Sequence, residues 1–124
     1  MKQHASRFLH LVTETKKRIK EISPKELKAK IDNQESFYLF DVREANEWAT
    51  GHIPSAVHLS KGIIERDIEK TVIDPKSPIV VYCSGGFRCA LVADSLQSMG
   101  FTEVYSLDTG SQGWIDAGYG LSKS

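Results

Sequence analysis

Six consecutive residues, Cys83-Ser84-Gly85-Gly86-Phe87-Arg88, place a thiol, two glycines and a guanidinium in one short stretch. A thiol attacks as its thiolate, so the chemistry depends on what surrounds Cys83. Ahead of it, Ile79-Val80-Val81-Tyr82 has the make-up of a buried strand; behind it, Leu91, Val92, Leu96 and Met99 recur at helical spacing. Cys83 is therefore expected at the carboxyl end of a strand, where open parallel sheets collect ligands. Gly85 and Gly86 tolerate positive φ, so the backbone there is expected to curl and aim N–H groups inward as an anion-binding nest. The following helix adds the partial positive charge of its N-terminus, and Arg88 adds a full charge with a fork of donors. Such surroundings favour thiolate at Cys83, and they stabilise the oxyanions of a bound donor or a terminal sulfur carried on Cys83. Cys83 is the candidate catalytic residue, and Ser84, Gly85, Gly86, Phe87 and Arg88 are the candidate substrate-binding loop. The plainer alternative makes Cys83 a small buried residue at a strand end.

The elements that must hold this loop can be read along the chain. Residues 3–20 have an amphipathic helical pattern, with Phe8, Leu11, Val12, Ile19 and Ile22 on the apolar stripe and Lys16, Lys17 and Lys20 largely off it. Ser23-Pro24-Lys25-Glu26 reads as a capped helix start, and that helix is expected to reach about Asn33 and to bury Leu27 and Ile31. Residues 37–42 form a near-continuous apolar run typical of a strand covered on both faces. A short helix over 44–50, a strand at 56–59, a helical stretch at 63–68, the strand at 79–82, a helix over 89–99, a strand at 104–107 and a last helix at 111–117 complete the pattern. Strands alternating with helices at these lengths give an α/β fold with a mostly parallel sheet covered by helices on both faces.

The motifs together resemble the rhodanese family of sulfurtransferases. Cys83 to Arg88 is similar to that family's Cys-x-x-Gly-x-Arg loop, and Phe40-Asp41-Val42-Arg43 to its Asp-x-Arg element. Gly51-His52-Ile53-Pro54-Ser55-Ala56 is similar to its Gly-His-Ile-x-Gly-Ala motif, with Ser55 where glycine is usual. Gly113-Trp114 through Gly118-Tyr119 resembles its Trp-x-x-x-Gly segment. The likeness covers about residues 21–120 and leaves the basic N-terminal helix, residues 1–20, outside it. It implies a five-stranded sheet with a short first strand near residues 21–23. It also implies a ping-pong reaction in which Cys83 takes sulfane sulfur from a donor such as thiosulfate and passes it to cyanide or a thiol. Asp41 and Arg43 are supporting candidates that would pair beneath or beside the loop, or form a strand-end ion pair with no part in the chemistry. His52 is expected to stabilise a turn rather than act as a base. Cys89 stands where the family often has serine. It is expected to be a tolerated, partly buried substitution with its thiol turned into the core, the alternative being a thiol that resolves a Cys83 persulfide.

Composition narrows the function further. The chain of 124 residues balances 16 Lys/Arg against 16 Asp/Glu, so it lacks the basic excess of a nucleic-acid binder. No apolar run approaches the roughly 18 residues of a membrane span. Met1 to Arg7 leads into charged sequence, so no secretory signal is expected and the protein reads as cytoplasmic. A structural disulfide between the two cysteines is then not expected. His4, His10, His52, His58 and the cysteines show no recognised ligand spacing, so neither metal nor cofactor is expected. Residues 1–30 carry nine Lys/Arg against three Glu, which reads as a solvated Lys-rich helix face or as a basic arm that docks on its own domain, a second copy or a partner protein. Packing is the expected role of the helix, with a membrane-surface helix the alternative, and the helix is expected to be dispensable for chemistry. The rival readings are a non-catalytic rhodanese-like module, a cysteine phosphatase and an arsenate reductase. Cysteine phosphatases need five residues between Cys and Arg to cradle phosphate, whereas four separate Cys83 from Arg88.

Overall fold

The computed structural model describes residues 4–123. The chain runs α1 (Ser6–Lys16), β1 (Lys20–Ile22), α2 (Pro24–Asp32), β2 (Tyr38–Asp41), α3 (Ala45–Ala49) and β3 (Val57–His58). It continues as α4 (Ile64–Asp67), a 3-10 turn (Ile68–Lys70), β4 (Ile79–Tyr82), α5 (Arg88–Ser98), β5 (Val104–Leu107) and α6 (Gly110–Asp116). The five strands form one parallel sheet in the order β1-β5-β4-β2-β3, with β4 at its centre. The fold is the expected α/β arrangement, a five-stranded parallel sheet with a short first strand at Lys20–Ile22.

Alternation along β4 sorts the core into two layers. Ile79 and Val81 face a cluster with Val92, Leu96, Ile64 and Ile68 beneath α4 and α5, and Cys83 continues that side. Val80 and Tyr82 face the other cluster, with Leu27, Ile53, Leu107 and Trp114 beneath α2 and α6. Every residue of β4 is buried, as its unbroken apolar run requires. Register is carried to the active end by the Val42 N–H, which donates to the Tyr82 carbonyl at 2.9 Å.

The N-terminal helix departs from its expected extent. Residues 1–3 lie outside the described residues, and α1 ends at Lys16 rather than residue 20. Ile19 and Ile22, which continue the apolar stripe in sequence, belong to the turn and to β1, and Leu11 is 50% exposed. The helix instead buries Val12 and Thr15 against α5. Arg18 pairs with Asp94 of α5 at 2.9 Å, and Gln97 donates to the Arg18 carbonyl at 2.9 Å. The basic arm thus finds carboxylates on its own chain. A further correction concerns Met99, expected on the buried face of α5, which follows the end of the helix and is 37% exposed.

Candidate active site

Cys83 leaves the end of β4, and the loop to α5 closes around its sulfur. The Gly86 N–H donates to Cys83 Sγ at 3.2 Å and the Cys89 N–H at 3.4 Å. Gly86 has φ +92°, and a Cβ there would run into the Asp108 carbonyl oxygen, so only glycine fits. Gly85, expected to share that role, has no positive φ and open space around it. The far side of the loop is pinned by α6, whose Ser111 and Gln112 N–H groups donate to the Cys83 and Ser84 carbonyls at 2.8 and 3.0 Å. Gly110, with φ +65°, lets that helix approach, since a Cβ would press on the Cys83 and Ser84 backbone.

The second cysteine lies where it was not expected. Both residues are free cysteines on the same side of the sheet, and α5 begins at Arg88, which turns Cys89 back toward the loop. Cys89 is fully buried, yet its Sγ lies 3.4 Å from Cys83 Sγ. The expectation that a core-facing Cys89 thiol would point away from Cys83 is therefore corrected. The Cys89 thiol is the leading influence that lowers the Cys83 pKa below the usual thiol range. Burial opposes it, and the Cys89 and Gly86 amides and the Arg88 charge reinforce it. Cys89 itself is pushed well above that range, first by burial and then by its bond to Cys83.

Arg88 is less free than its place in the loop implies. Its Nη1 and Nη2 donate to Glu47 Oε1 and Oε2 at 2.7 and 2.9 Å, and Nη2 also donates to Ser84 Oγ at 3.0 Å. The Arg88 hydrogen bonds hold the Glu47 carboxyl down to about 2, against partial burial. Glu47 escaped the sequence reading, although the Glu44-x-x-Glu47 spacing at a helix start is a capping signal, realised as Glu44 N–H to Glu47 Oε1 at 3.0 Å.

A pocket of about 800 Å³ opens over this site. Cys83, Ser84 and Gly85 line it, together with Arg88, Glu47 and Gln112. Its remaining wall is aromatic: Phe87 with His4 and Phe8 of the N-terminal segment. The His4 and Phe87 ring centres are 4.5 Å apart, those of His4 and Phe8 5.3 Å, and Lys16 Nζ sits 5.6 Å from the Phe87 ring. The segment expected to be dispensable for chemistry therefore contributes to the pocket.

Asp41 and Arg43 come together as a buried pair but do not line the pocket. Arg43 Nη2 donates to Asp41 Oδ2 at 2.8 Å, and also to the Gly51 carbonyl. The Arg43 carbonyl bonds His58 Nε2 at 2.8 Å. The pair ties β2 to the segment after α3 rather than to the Cys83 loop. Ser55 has φ +76°, which explains why glycine is usual there.

Comparison with known proteins agrees with this architecture. The rhodanese-like domain model matches residues 23–117, and the chain belongs to the rhodanese-like domain family. It is 41% identical over 96 residues to "Putative sulfurtransferase YtwF" of Bacillus subtilis (strain 168), covering 77% of this chain and 90% of that one. It is 32% identical over 96 residues to "Putative sulfur carrier protein YrkF" of the same organism, again over 77% of this chain, and spans about half (51%) of that protein. A tRNA uridine(34) hydroxylase of Chlamydia felis (strain Fe/C-56) is 39% identical over 106 residues, with 73% of this chain matching 30% of that one. Among solved structures, RPA3614 of Rhodopseudomonas palustris CGA009, described as of unknown function and a possible tyrosine phosphatase, superposes with TM-score 0.82 at 25% identity. That likeness covers 98% of this chain and 99% of RPA3614.

Proposed function

We propose that this protein is a sulfurtransferase in which Cys83 carries sulfane sulfur as a persulfide. Family membership and relatives named for sulfur transfer and sulfur carriage support an enzyme of the sulfur-transfer kind. The observation that carries the finer reading is the bonding of Cys83 Sγ. Two backbone N–H groups and the Cys89 thiol converge on it at 3.2 to 3.4 Å, and Cys83 lines an open pocket. In the first half-reaction the Cys83 thiolate attacks the outer sulfur of thiosulfate. The sulfur–sulfur bond of the donor breaks, and sulfite leaves with its electron pair. In the second, cyanide or a thiol attacks the terminal sulfur, and the pair of the breaking bond returns to Cys83 as thiolate. Gly86 and Cys89 amides are placed to hold the negative charge at either stage.

The same pocket argues against phosphate as the substrate. Four residues separate Cys83 from Arg88, and the Arg88 guanidinium is already matched by Glu47. A phosphate dianion brought to Cys83 would face the Glu47 carboxylate rather than a free cation. The thiosulfate dianion meets the same neutralised guanidinium, whereas a sulfane sulfur delivered by an organic persulfide needs no such cation. The volume of about 800 Å³ and the aromatic wall also suit an acceptor or donor with an organic body, such as an organic thiol or persulfide, beside small thiosulfate.

Thiocyanate formation from thiosulfate and cyanide tests the reading. The wild type is expected to turn over, and Cys83→Ser to lose activity while keeping its fold. Folded wild-type protein that makes no thiocyanate from thiosulfate or from organic persulfides would instead favour a non-catalytic binding module.

A further inference from the structure

The two cysteines stand on opposite footings toward the pocket. Both are buried, but Cys83 lines it and Cys89 does not. Cys89 Sγ nonetheless lies 3.4 Å from Cys83 Sγ, within the same core cluster. The Ser106 hydroxyl donates to Cys89 Sγ at 3.1 Å, which holds the sulfur in place and supports charge on it.

We propose that Cys89 is a resolving thiol, which converts the Cys83 persulfide into a Cys83–Cys89 disulfide and releases hydrosulfide. The step rests on Cys83 carrying sulfur as proposed above. Cys89 Sγ attacks Cys83 Sγ, the Cys83 Sγ–sulfane bond breaks, and the terminal sulfur leaves with that electron pair. The Cys89 proton departs on it, so a persulfide anion and a thiol give a disulfide and one HS⁻. The sulfane sulfur is reduced to sulfide, and the two cysteine sulfurs are oxidised to the disulfide. An external dithiol returns the pair to thiols for another cycle.

The geometry suits displacement. Displacement requires the terminal sulfur to extend toward the pocket that Cys83 lines, and Cys89, within reach of Cys83 Sγ, does not line that pocket. The two sulfurs have to close from 3.4 Å to the about 2.05 Å of a disulfide. Before loading, burial and the neighbouring Cys83 charge keep Cys89 protonated and silent. Loading moves that charge one atom outward to the terminal sulfur, which eases the part due to charge; burial, the larger part, remains and is opposed by the Ser106 donor.

Oxygen-free incubation of the whole chain with thiosulfate tests the step, because its leaving group is sulfite and any sulfide must come from the persulfide. Wild-type protein is expected to release one equivalent of sulfide and to lose the mass of two hydrogens, with peptides of Cys83 and Cys89 joined. Cys89→Ser is expected to hold the mass of one added sulfur and to release none. The wild-type result stands without the variant, since sulfide and disulfide must appear one to one. A wild-type persulfide as long-lived as that of Cys89→Ser, with no disulfide, would overturn the proposal. Inorganic polysulfide, read by mass alone, separates the two readings if thiosulfate does not load. A persulfide from polysulfide leaves the Cys89 comparison intact, and a Cys83 that neither donor loads overturns both.

Discussion

Glu47 closes a two-pronged ion pair on Arg88, at 2.7 and 2.9 Å, while its Oε1 also accepts the Glu44 amide at 3.0 Å. The carboxylate that caps α3 therefore also neutralises the one cation beside Cys83 in the loop. A guanidinium so engaged positions Ser84 more than it attracts donors. Glu47→Gln keeps an oxygen for the Glu44 amide and removes the charge. It is expected to raise the rate of sulfur loading from thiosulfate several-fold, up to about tenfold for one charge-assisted hydrogen bond regained. Arg88→Ala should act oppositely, because it leaves the Glu47 carboxylate unpaired toward the pocket. Stopped-flow loading measurements check both, and a slower Glu47→Gln would show that the pair itself is needed.

Sulfur loading should tolerate acid better than an ordinary thiol allows. A free cysteine titrates near about 8.5, and below that its thiolate fraction falls tenfold per pH unit. Cys83 is held lower by the Cys89 thiol and by two amides. The loading rate is thus expected to stay level as pH falls through the usual thiol range and to decline only once Cys83 takes its proton. Cys89→Ala removes the leading donor, so its inflection should move upward. An unshifted profile in that variant would contradict the assignment of the S–H group as the main support of the thiolate.

The aromatic wall predicts selectivity. Phe8→Ala removes one of three rings from the pocket without touching Cys83 or its donors. With an aryl thiosulfonate as donor, efficiency should fall by about three- to tenfold, the value of one aromatic contact. With thiosulfate it should barely change. Equal losses on both donors would mean that Phe8 supports the fold of the site rather than recognition.

The two loop glycines should respond very differently to a methyl group. Gly86→Ala forces a side chain onto φ +92° and into the Asp108 carbonyl. A loss of about 1–3 kcal/mol of stability is expected, together with disordered donors around Cys83 and much slower loading. Gly85→Ala meets open space and should be close to neutral in thermal melting. Equal tolerance at both positions would rule out the tight curl at Gly86.

What sequence pattern revealed was largely local. The run Ile79 to Tyr82 and the Ser23–Glu26 capping box each write their structure into a few adjacent residues, and both appear as read. The end of α1 was obscured because Ile19 and Ile22 fit a helical stripe but are drawn into the turn and the sheet edge. The pairing of Glu47 with Arg88 spans 41 positions, and only the parallel order of β2 and β4 brings them together. His4 and Phe8 reach the pocket because α1 lies along α5, which depends on surface pairs such as Arg18–Asp94 that no short pattern signals. Cys89 was legible as buried. Its contact with Cys83 depends on how the loop between them curls, which no short pattern states.

Sulfite release in the first turnover is the most direct measurement of all. Protein mixed with thiosulfate, with no acceptor present, should release a burst of one sulfite per chain, before any step that involves Cys89. Cys83→Ser, verified as folded by circular dichroism, should release none. A stoichiometric burst that survives in Cys83→Ser, or folded, reduced wild type that releases no sulfite from thiosulfate and gains no sulfur mass from polysulfide, would contradict Cys83 as the carrier of sulfur.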